Sequence, residues 1–104
     1  MPDFLRACPA AEVPPGAMKR VVLDDTPVAI YNCGGALTAT ADTCTHAEAS
    51  LADGALDCAA GTVECPLHGA KFDIRTGKAL SLPAVSPVKA FAVKVEGGEI
   101  FVRV

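Results

Sequence analysis

The sequence has no tryptophan, one tyrosine and only two histidines. Basic residues are also few: nine Lys and Arg against twelve Asp and Glu give a formal net charge of −3, without a basic stripe. This balance argues against nucleic-acid binding. No apolar run approaches the roughly 20 residues needed to cross a membrane. The first ten residues show no charged-then-apolar export signal. We therefore expect a cytoplasmic, monomeric protein that binds neither membrane nor nucleic acid.

Sustained helical periodicity is missing as well, and residues 47–51 predict one helical turn at most. Short β-branched runs instead predict strands over Met18–Leu23, 27–31 and 36–40, the last two joined through Gly34-Gly35. Near the C-terminus, apolar residues alternate with others on both sides of Gly97-Gly98, which predicts a hairpin with one buried face. That face comprises Phe91, Val93, Val95, Ile100, Val102 and Val104. The fold class is therefore all-β.

The segment from about residue 42 to residue 87 differs from its flanks. Glycines and prolines break it into short apolar pieces, which favours loops over a sheet core. With 104 residues the chain is long enough for one compact domain, residues 1–104. We expect an antiparallel β-sandwich base that carries a loop-rich subdomain over about residues 42–87.

The cysteine count is odd, at five. An odd count without an export signal favours metal binding over a disulfide scaffold. Both histidines follow a cysteine closely, in Cys44-Thr45-His46 and in Cys65-Pro66-Leu67-His68, with eighteen residues between the two motifs. Thiolate and imidazole ligands suit zinc or iron. Classical zinc fingers pair cysteine with cysteine and histidine with histidine, so this mixed order does not fit them.

The mixed order resembles Rieske centres, where two histidines replace two cysteines on one iron of a two-iron, two-sulfur cluster. The neighbours extend the resemblance: Cys65 to Asp73 is similar to the second cluster-binding loop, and Thr76-Gly77-Lys78 to the turn that follows it. Ser81-Leu82-Pro83 looks like the proline loop that covers the cluster. The resemblance implies a Rieske iron-sulfur fold and one 2Fe-2S cluster held by Cys44, His46, Cys65 and His68. A non-redox zinc-binding module is the alternative for the same four residues.

Two departures from respiratory Rieske proteins refine this expectation. Ala49 and Leu67 stand where those proteins carry a loop-to-loop disulfide. Ala70 and Phe72 stand where high-potential members have hydroxyl donors to the cluster. Fewer hydrogen bonds to sulfur leave the reduced state less stabilised. We therefore expect a potential at the low end of the Rieske range, near about −150 mV.

A free-standing, low-potential Rieske domain resembles the ferredoxin of bacterial aromatic-ring-hydroxylating dioxygenase systems. The resemblance implies shuttling of single electrons from a flavin-dependent ferredoxin reductase to a terminal Rieske oxygenase. Both histidines are used by the cluster, so the chain has no facial triad for dioxygen chemistry, and we do not expect it to be an enzyme. A Rieske-like small subunit of a nitrite reductase is the alternative within the same family.

Several other residues near the predicted ligands also have an expected role. Cys8, Cys33 and Cys58 are interpreted as small buried hydrophobes, with Cys58 partly exposed and without a role. Gly69 is expected to permit a positive φ, and Pro83 to shield the cluster. Leu67 and Leu82 either cover the site or pack in the core. Acidic residues near the ligands form either a docking face or an ordinary solvated face; they are Asp42, Glu48, Asp53, Asp57 and Glu64.

Overall fold

The structure is a computed structural model, which describes residues 4–44, 49–67, 69–81 and 86–104. These residues form nine strands and two short 3₁₀ turns, the turns spanning Ala10–Glu12 and Leu51–Asp53. The described residues include no helix long and apolar enough to span a membrane. The strands are β1 (Leu5–Pro9), β2 (Met18–Leu23), β3 (Thr26–Cys33), β4 (Ala36–Ala41), β5 (Ala55–Asp57), β6 (Thr62–Glu64), β7 (Lys71–Asp73), β8 (Ala90–Glu96) and β9 (Glu99–Arg103).

Six of the strands form the antiparallel base sheet, in the order β1-β9-β8-β4-β3-β2. The two hairpins predicted at glycine pairs are confirmed: β3 turns into β4 through Gly34-Gly35, and β8 into β9 through Gly97-Gly98. All four of these glycines have positive φ, which suits tight hairpin turns. The predicted all-β class is confirmed.

The first strand was not predicted from the sequence. β1 pairs with β9, and its register shifts between Arg6 and Cys8, so a bulge interrupts the alternation on which a strand prediction depends. β1 and β2, the two edges of the sheet, are in contact, so the sheet curves around its own core. Cys8 lies in that core with 3% exposure, as the interpretation of a small buried hydrophobe predicted.

Strand β3 is buried on both of its faces. Val28 and Ile30 point into the core of the base sheet. Ala29 and Tyr31 point the other way and join a second core, which lies under the ligand loops. Because side chains alternate across a strand, this one segment contributes to both cores. A near-continuous apolar run is the pattern expected of such a strand.

The segment expected to be loops contains a second sheet of three short strands, in the order β5-β6-β7. The expected loop-rich subdomain therefore also contains a small sheet that the sequence did not predict. Each strand has only three residues, too few for a periodic pattern to stand out among the glycines and prolines. Gly54 is needed just before β5, because a Cβ there would collide with the carbonyl oxygen of Glu64 in β6. This small sheet delivers Cys65 from the end of β6.

The C-terminal hairpin follows the predicted alternation with two exceptions. Ile100 and Val102 are fully buried, as predicted. Val95 and Val104 were also expected on the buried face, but they are 48% and 36% exposed. Val104 follows the last residue of β9, whereas Val95 is exposed although it pairs with the buried Ile100. The predicted face is therefore correct for Phe91, Val93, Ile100 and Val102, which contact or belong to the base core.

Candidate metal centre

Two buried cysteines lie side by side at the centre of the second core. Cys44 follows β4 of the base sheet, and Cys65 follows β6 of the small sheet. Their exposures are 3% and 1%, and the Cys44 thiol is a hydrogen-bonding neighbour of the Cys65 thiol. The fold thus brings together two thiols from separate loops, as the sequence predicted for this pair.

Each of the two loops is closed by a backbone hydrogen bond of the same type. The amide of Cys44 donates to the carbonyl of Ala49 at 2.9 Å, and the amide of Cys65 donates to the carbonyl of Ala70 at 2.7 Å. In each case the acceptor lies five residues after the cysteine. Each cysteine therefore begins a short closed loop, and the spacing from cysteine to histidine places both predicted histidines within these loops in the sequence.

Asp42 fixes the first loop to its surroundings. Its Oδ1 accepts a hydrogen bond from the amide of Ala52 at 3.0 Å, and its carbonyl accepts one from the amide of Leu51 at 2.8 Å. Its Oδ2 accepts from Nε of Arg20 in β2 at 3.1 Å. The carboxylate is 2% exposed. Asp42 is therefore not available to a docking face, which corrects one member of the proposed acidic set.

The other acidic candidates have different environments. Asp53 and Asp57 are exposed, and Asp57 accepts a hydrogen bond from the amide of Ala60 at 3.1 Å. Glu64 is half-buried, next to Gly69. Glu48 lies outside the described residues. A docking face built from these carboxylates stays a prediction for Asp53, Asp57 and Glu64.

The second loop depends on backbone geometry at Gly69. Its φ is +69°, as expected from the sequence, a value that side chains other than glycine rarely adopt. The segment after β7 is held near this loop, because the amide of Lys71 donates to Oγ of Ser81 at 3.0 Å. Leu67, within the loop, is 47% exposed. It is therefore not a core residue, which excludes one of its two predicted interpretations.

Burial raises the pKa of the Cys65 thiol, and the neighbouring Cys44 raises it further. The backbone amide of Leu67 acts in the opposite direction, since it donates a hydrogen bond to the Cys65 sulfur. Two adjacent buried thiolates would repel each other and lack solvation. A bound iron or zinc ion between the sulfurs would remove both penalties, because thiolate is the form that ligates metal. Metal binding at this pair would therefore release the thiol protons.

Half of the predicted ligand set lies outside the described residues. His46 and His68 both do so, as do Leu82 and Pro83 of the proposed covering loop. Within the described ranges, no group of three or more His, Cys, Asp or Glu residues forms a metal site. The described part of the chain therefore contains Cys44 and Cys65 but neither histidine, and the role of all four residues as ligands stays a prediction.

The two positions that bear on the reduction potential lie in the same core as the thiol pair. Ala70 and Phe72 are both fully buried in the same core as Cys44 and Cys65. Neither side chain has a hydroxyl to donate to sulfur. The low-potential expectation therefore keeps its structural basis.

The structure contains a disulfide that the sequence did not predict. Cys33 at the end of β3 is bonded to Cys58 in the turn after β5, with Cα atoms 5.2 Å apart. The interpretation of both residues as free buried hydrophobes was therefore wrong, although the expected exposure of Cys58 is confirmed. The odd cysteine count was a poor guide, because three cysteines remain free. Only the fold places these two residues together.

Comparison with known proteins agrees with this geometry. A family model described as the Rieske [2Fe-2S] domain matches residues 3–92. The 3-phenylpropionate/cinnamic acid dioxygenase ferredoxin subunit of Escherichia coli is 50% identical over 97 residues, which cover 92% of this chain and 89% of that protein.

Two solved structures are similar along nearly the whole chain. The ferredoxin of carbazole 1,9a-dioxygenase from Nocardioides aromaticivorans has a TM-score of 0.92 at 36% identity, with 96% of each chain covered. A complex of reduced oxygenase and oxidized ferredoxin in carbazole 1,9a-dioxygenase has a TM-score of 0.88 at 40% identity, with 96% of this chain and 92% of that chain covered. These likenesses favour the iron-sulfur interpretation over the zinc module.

Proposed function

Because this chain belongs to the Rieske [2Fe-2S] family and carries one Rieske-type cluster, we propose that it is the ferredoxin of an aromatic-ring dioxygenase system. In this role it passes single electrons from a flavin-dependent reductase to a terminal Rieske oxygenase, and it has no catalytic activity of its own. The observation that supports the proposal most strongly is the pair of buried thiols. Each thiol begins a loop that is closed by a backbone hydrogen bond to the residue five positions later. The identity to ferredoxin subunits of dioxygenases supports the choice of system.

The ligands in this proposal are Cys44, His46, Cys65 and His68. The two described sulfurs are buried and adjacent, which suits the iron that thiolates hold. The histidines would then hold the other iron, as in Rieske centres generally. When bound, the cluster accepts and releases one electron. Ala70 and Phe72, which are buried in the same core as the two sulfurs, have no hydroxyl to donate, and this supports a potential of about −150 mV.

The partner surface in this proposal lies around the second loop. Leu67 is exposed immediately before His68 in the sequence, and Leu80 is 46% exposed in the segment held against β7. The proposal places the apolar part of the contact with a protein partner at these two leucines. The solved complex of an oxygenase and a ferredoxin of this fold supports the terminal oxygenase as one partner. The reductase and the cytoplasmic location are proposed from the family resemblance.

Electron paramagnetic resonance of the dithionite-reduced holoprotein tests the ligand set. The mixed-valence signal of a histidine-ligated two-iron cluster is expected, and redox titration should give a potential near about −150 mV. His68→Ala and Cys65→Ser should abolish the signal, whereas Cys8→Ser should keep it. An all-cysteine signal, or a colourless iron-free protein that contains zinc, would contradict the proposal.

Stopped-flow mixing tests the role. The reduced protein is mixed with the oxidized terminal oxygenase of a 3-phenylpropionate dioxygenase, and the visible spectra of both are followed. Single-electron oxidation of the ferredoxin, faster than its oxidation by buffer alone, is the expected result. Equal rates with the oxygenase and with an unrelated electron acceptor protein would count against a dioxygenase partner, even where the cluster itself is intact.

A further inference from the structure

The Cys33–Cys58 disulfide joins the two parts of the fold. Cys33 ends β3 of the base sheet, and Cys58 begins the turn between β5 and β6 of the small sheet. The cysteines are 25 positions apart, and the segment between them contains Cys44 and the whole first ligand loop. Neither cysteine belongs to the buried thiol pair. The disulfide is therefore a separate sulfur site in the molecule.

The bond is open to solvent from one side. Cys58 is exposed, whereas Cys33 is half-buried. Beside them lies a cavity of about 220 Å³. Its lining includes both cysteines together with Thr38, Gly61, Ile74 and Arg75. A small thiol can therefore reach Cys58 without unfolding of the chain.

The polar groups of this cavity favour an anion. Arg75 is exposed, and its guanidinium forms no ion pair within the described part of the chain. A carboxylate in the cavity could accept hydrogen bonds from this guanidinium. The disulfide and a cation unpaired among the described residues thus line one cavity.

We propose that Cys33–Cys58 is a second redox site, a two-electron thiol–disulfide couple that small anionic thiols open from the cavity beside Arg75. An external thiolate attacks the Sγ of Cys58, the Cys33–Cys58 bond breaks, and Cys33 leaves as a thiolate that takes a proton. A second external thiolate attacks the sulfur of the first thiol in this mixed disulfide. Cys58 then leaves and takes a proton, and the two external thiols have become a disulfide.

The surroundings support this order of events. The Sγ of Cys58 lies 3.8 Å from the carbonyl oxygen of Asn32, which can accept a weak hydrogen bond from the thiol once it forms. Exposed disulfides are the ones that exchange in compartments kept reducing by small thiols. The proposal does not depend on which oxygenase the protein serves, because its readouts are thiol contents and exchange rates.

The first experiment uses the holoprotein under anaerobic conditions. Glutathione is added, the reaction is stopped with acid, and free thiols are alkylated and located by peptide mass. We expect a glutathione adduct on Cys58, then free thiols at Cys33 and Cys58 together, while the visible spectrum of the cluster is unchanged. In Cys33→Ser, oxidised glutathione should leave a stable adduct on Cys58. An adduct mainly on Cys33, or no reaction before the visible spectrum is lost, would overturn the proposal.

The second experiment varies the charge of the thiol. Rates of opening are measured with anionic glutathione and with cationic cysteamine, in the wild type, in Arg75→Gln and in Lys78→Gln. Lys78 is an exposed cation in the same segment that does not line the cavity, so it controls for net charge. Arg75→Gln should lower the ratio of the glutathione rate to the cysteamine rate at least threefold, and Lys78→Gln should change it much less. Equal changes in both variants would refute a role for the cavity.

Discussion

The guanidinium of Arg20 in β2 donates a hydrogen bond of 3.1 Å to the buried carboxylate of Asp42, two residues before Cys44. The same carboxylate accepts a hydrogen bond of 3.0 Å from the amide of Ala52, which follows the other end of the first ligand loop. One side chain therefore connects the edge of the base sheet to both ends of this loop. Its contribution can be measured separately from that of the ligands.

Two substitutions of Asp42 should separate the contributions of its two side-chain hydrogen bonds to stability. Asp42→Ala leaves the partly buried amide of Ala52 without an acceptor, which costs about 1–3 kcal/mol. For a domain of this size, that corresponds to a fall in Tm on the order of 5–15 °C. Asp42→Asn keeps an acceptor oxygen for Ala52 and should lose less. Thermal loss of the visible absorbance of the holoprotein measures both; equal Tm values for the two variants would show that the Ala52 bond contributes little.

Glycines 77 and 35 offer a matched pair of substitutions. Both have positive φ, +78° and +93°. A Cβ on Gly77 would collide with the carbonyl oxygen of Val88, whereas a Cβ on Gly35 meets open space. Gly35→Ala should cost about 1–2 kcal/mol for the left-handed conformation alone. Gly77→Ala should cost about 1–3 kcal/mol more, because the backbone must shift. Thermal melts of the two holoproteins give the difference, which would vanish if the segment before Val88 adjusts freely.

Removing the disulfide should destabilise the fold through the unfolded chain. Closing a loop with a sequence separation of 25 lowers the entropy of the unfolded chain, and this raises the free energy of unfolding by about 3–4 kcal/mol. Cys33→Ser/Cys58→Ser should therefore melt at lower temperature than the oxidised wild type. A reductant should lower the Tm of the wild type and leave the double variant unchanged. A wild type insensitive to reductant would mean that the bond is absent in solution.

The free cysteines should respond differently to substitution. Cys65→Ser removes a proposed cluster ligand and should give protein with little iron and no visible absorbance. Cys8→Ser changes a residue in the core of the base sheet, outside the thiol pair. It should keep the iron content and spectrum, with some loss of stability from the buried hydroxyl. Iron and sulfide analysis of both proteins checks this; iron loss in both would assign Cys8 an unexpected role.

The exposed leucines test the proposed partner surface. Leu67→Ser should weaken transfer to the terminal oxygenase roughly tenfold, about 1.4 kcal/mol, if the leucine is a central contact. Val22→Ser is the control, because Val22 is a 53% exposed apolar residue on the edge strand of the base. The visible spectra of both variants should equal that of the wild type. Equal transfer rates in the two variants would move the contact surface away from the second loop.

Local sequence patterns predicted five of the nine strands in the described residues. The strand Met18–Leu23 matches its predicted bounds, because its β-branched residues sit in a regular hairpin. Cys44 and Cys65 could be proposed as ligands because a metal site constrains ligand type and order in the sequence, and that role stays a prediction. The positive φ of Gly69 followed from the same motif.

Features that depend on distant parts of the chain could not be predicted. The bond between Cys33 and Cys58 depends on how the small sheet lies against the base. The burial of Asp42 depends on Arg20, which is 22 positions away and gives no local signal. β1 was missed because its bulge breaks the alternation and its partner β9 is at the other end of the chain. The roles of Cys44, His46, Cys65 and His68 as ligands stay predictions.

The double burial of β3 has a consequence for how the molecule comes apart. Ala29 and Tyr31 support the thiol pair, while Val28 and Ile30, their direct neighbours, hold the base. Melting of either core must therefore release the strand that the other one needs. The metal centre and the scaffold are expected to unfold in a single cooperative transition, so hydrogen exchange at β3 should be as slow as the slowest amides of the protein. Electron transfer would then use a centre held with the full global stability of the chain.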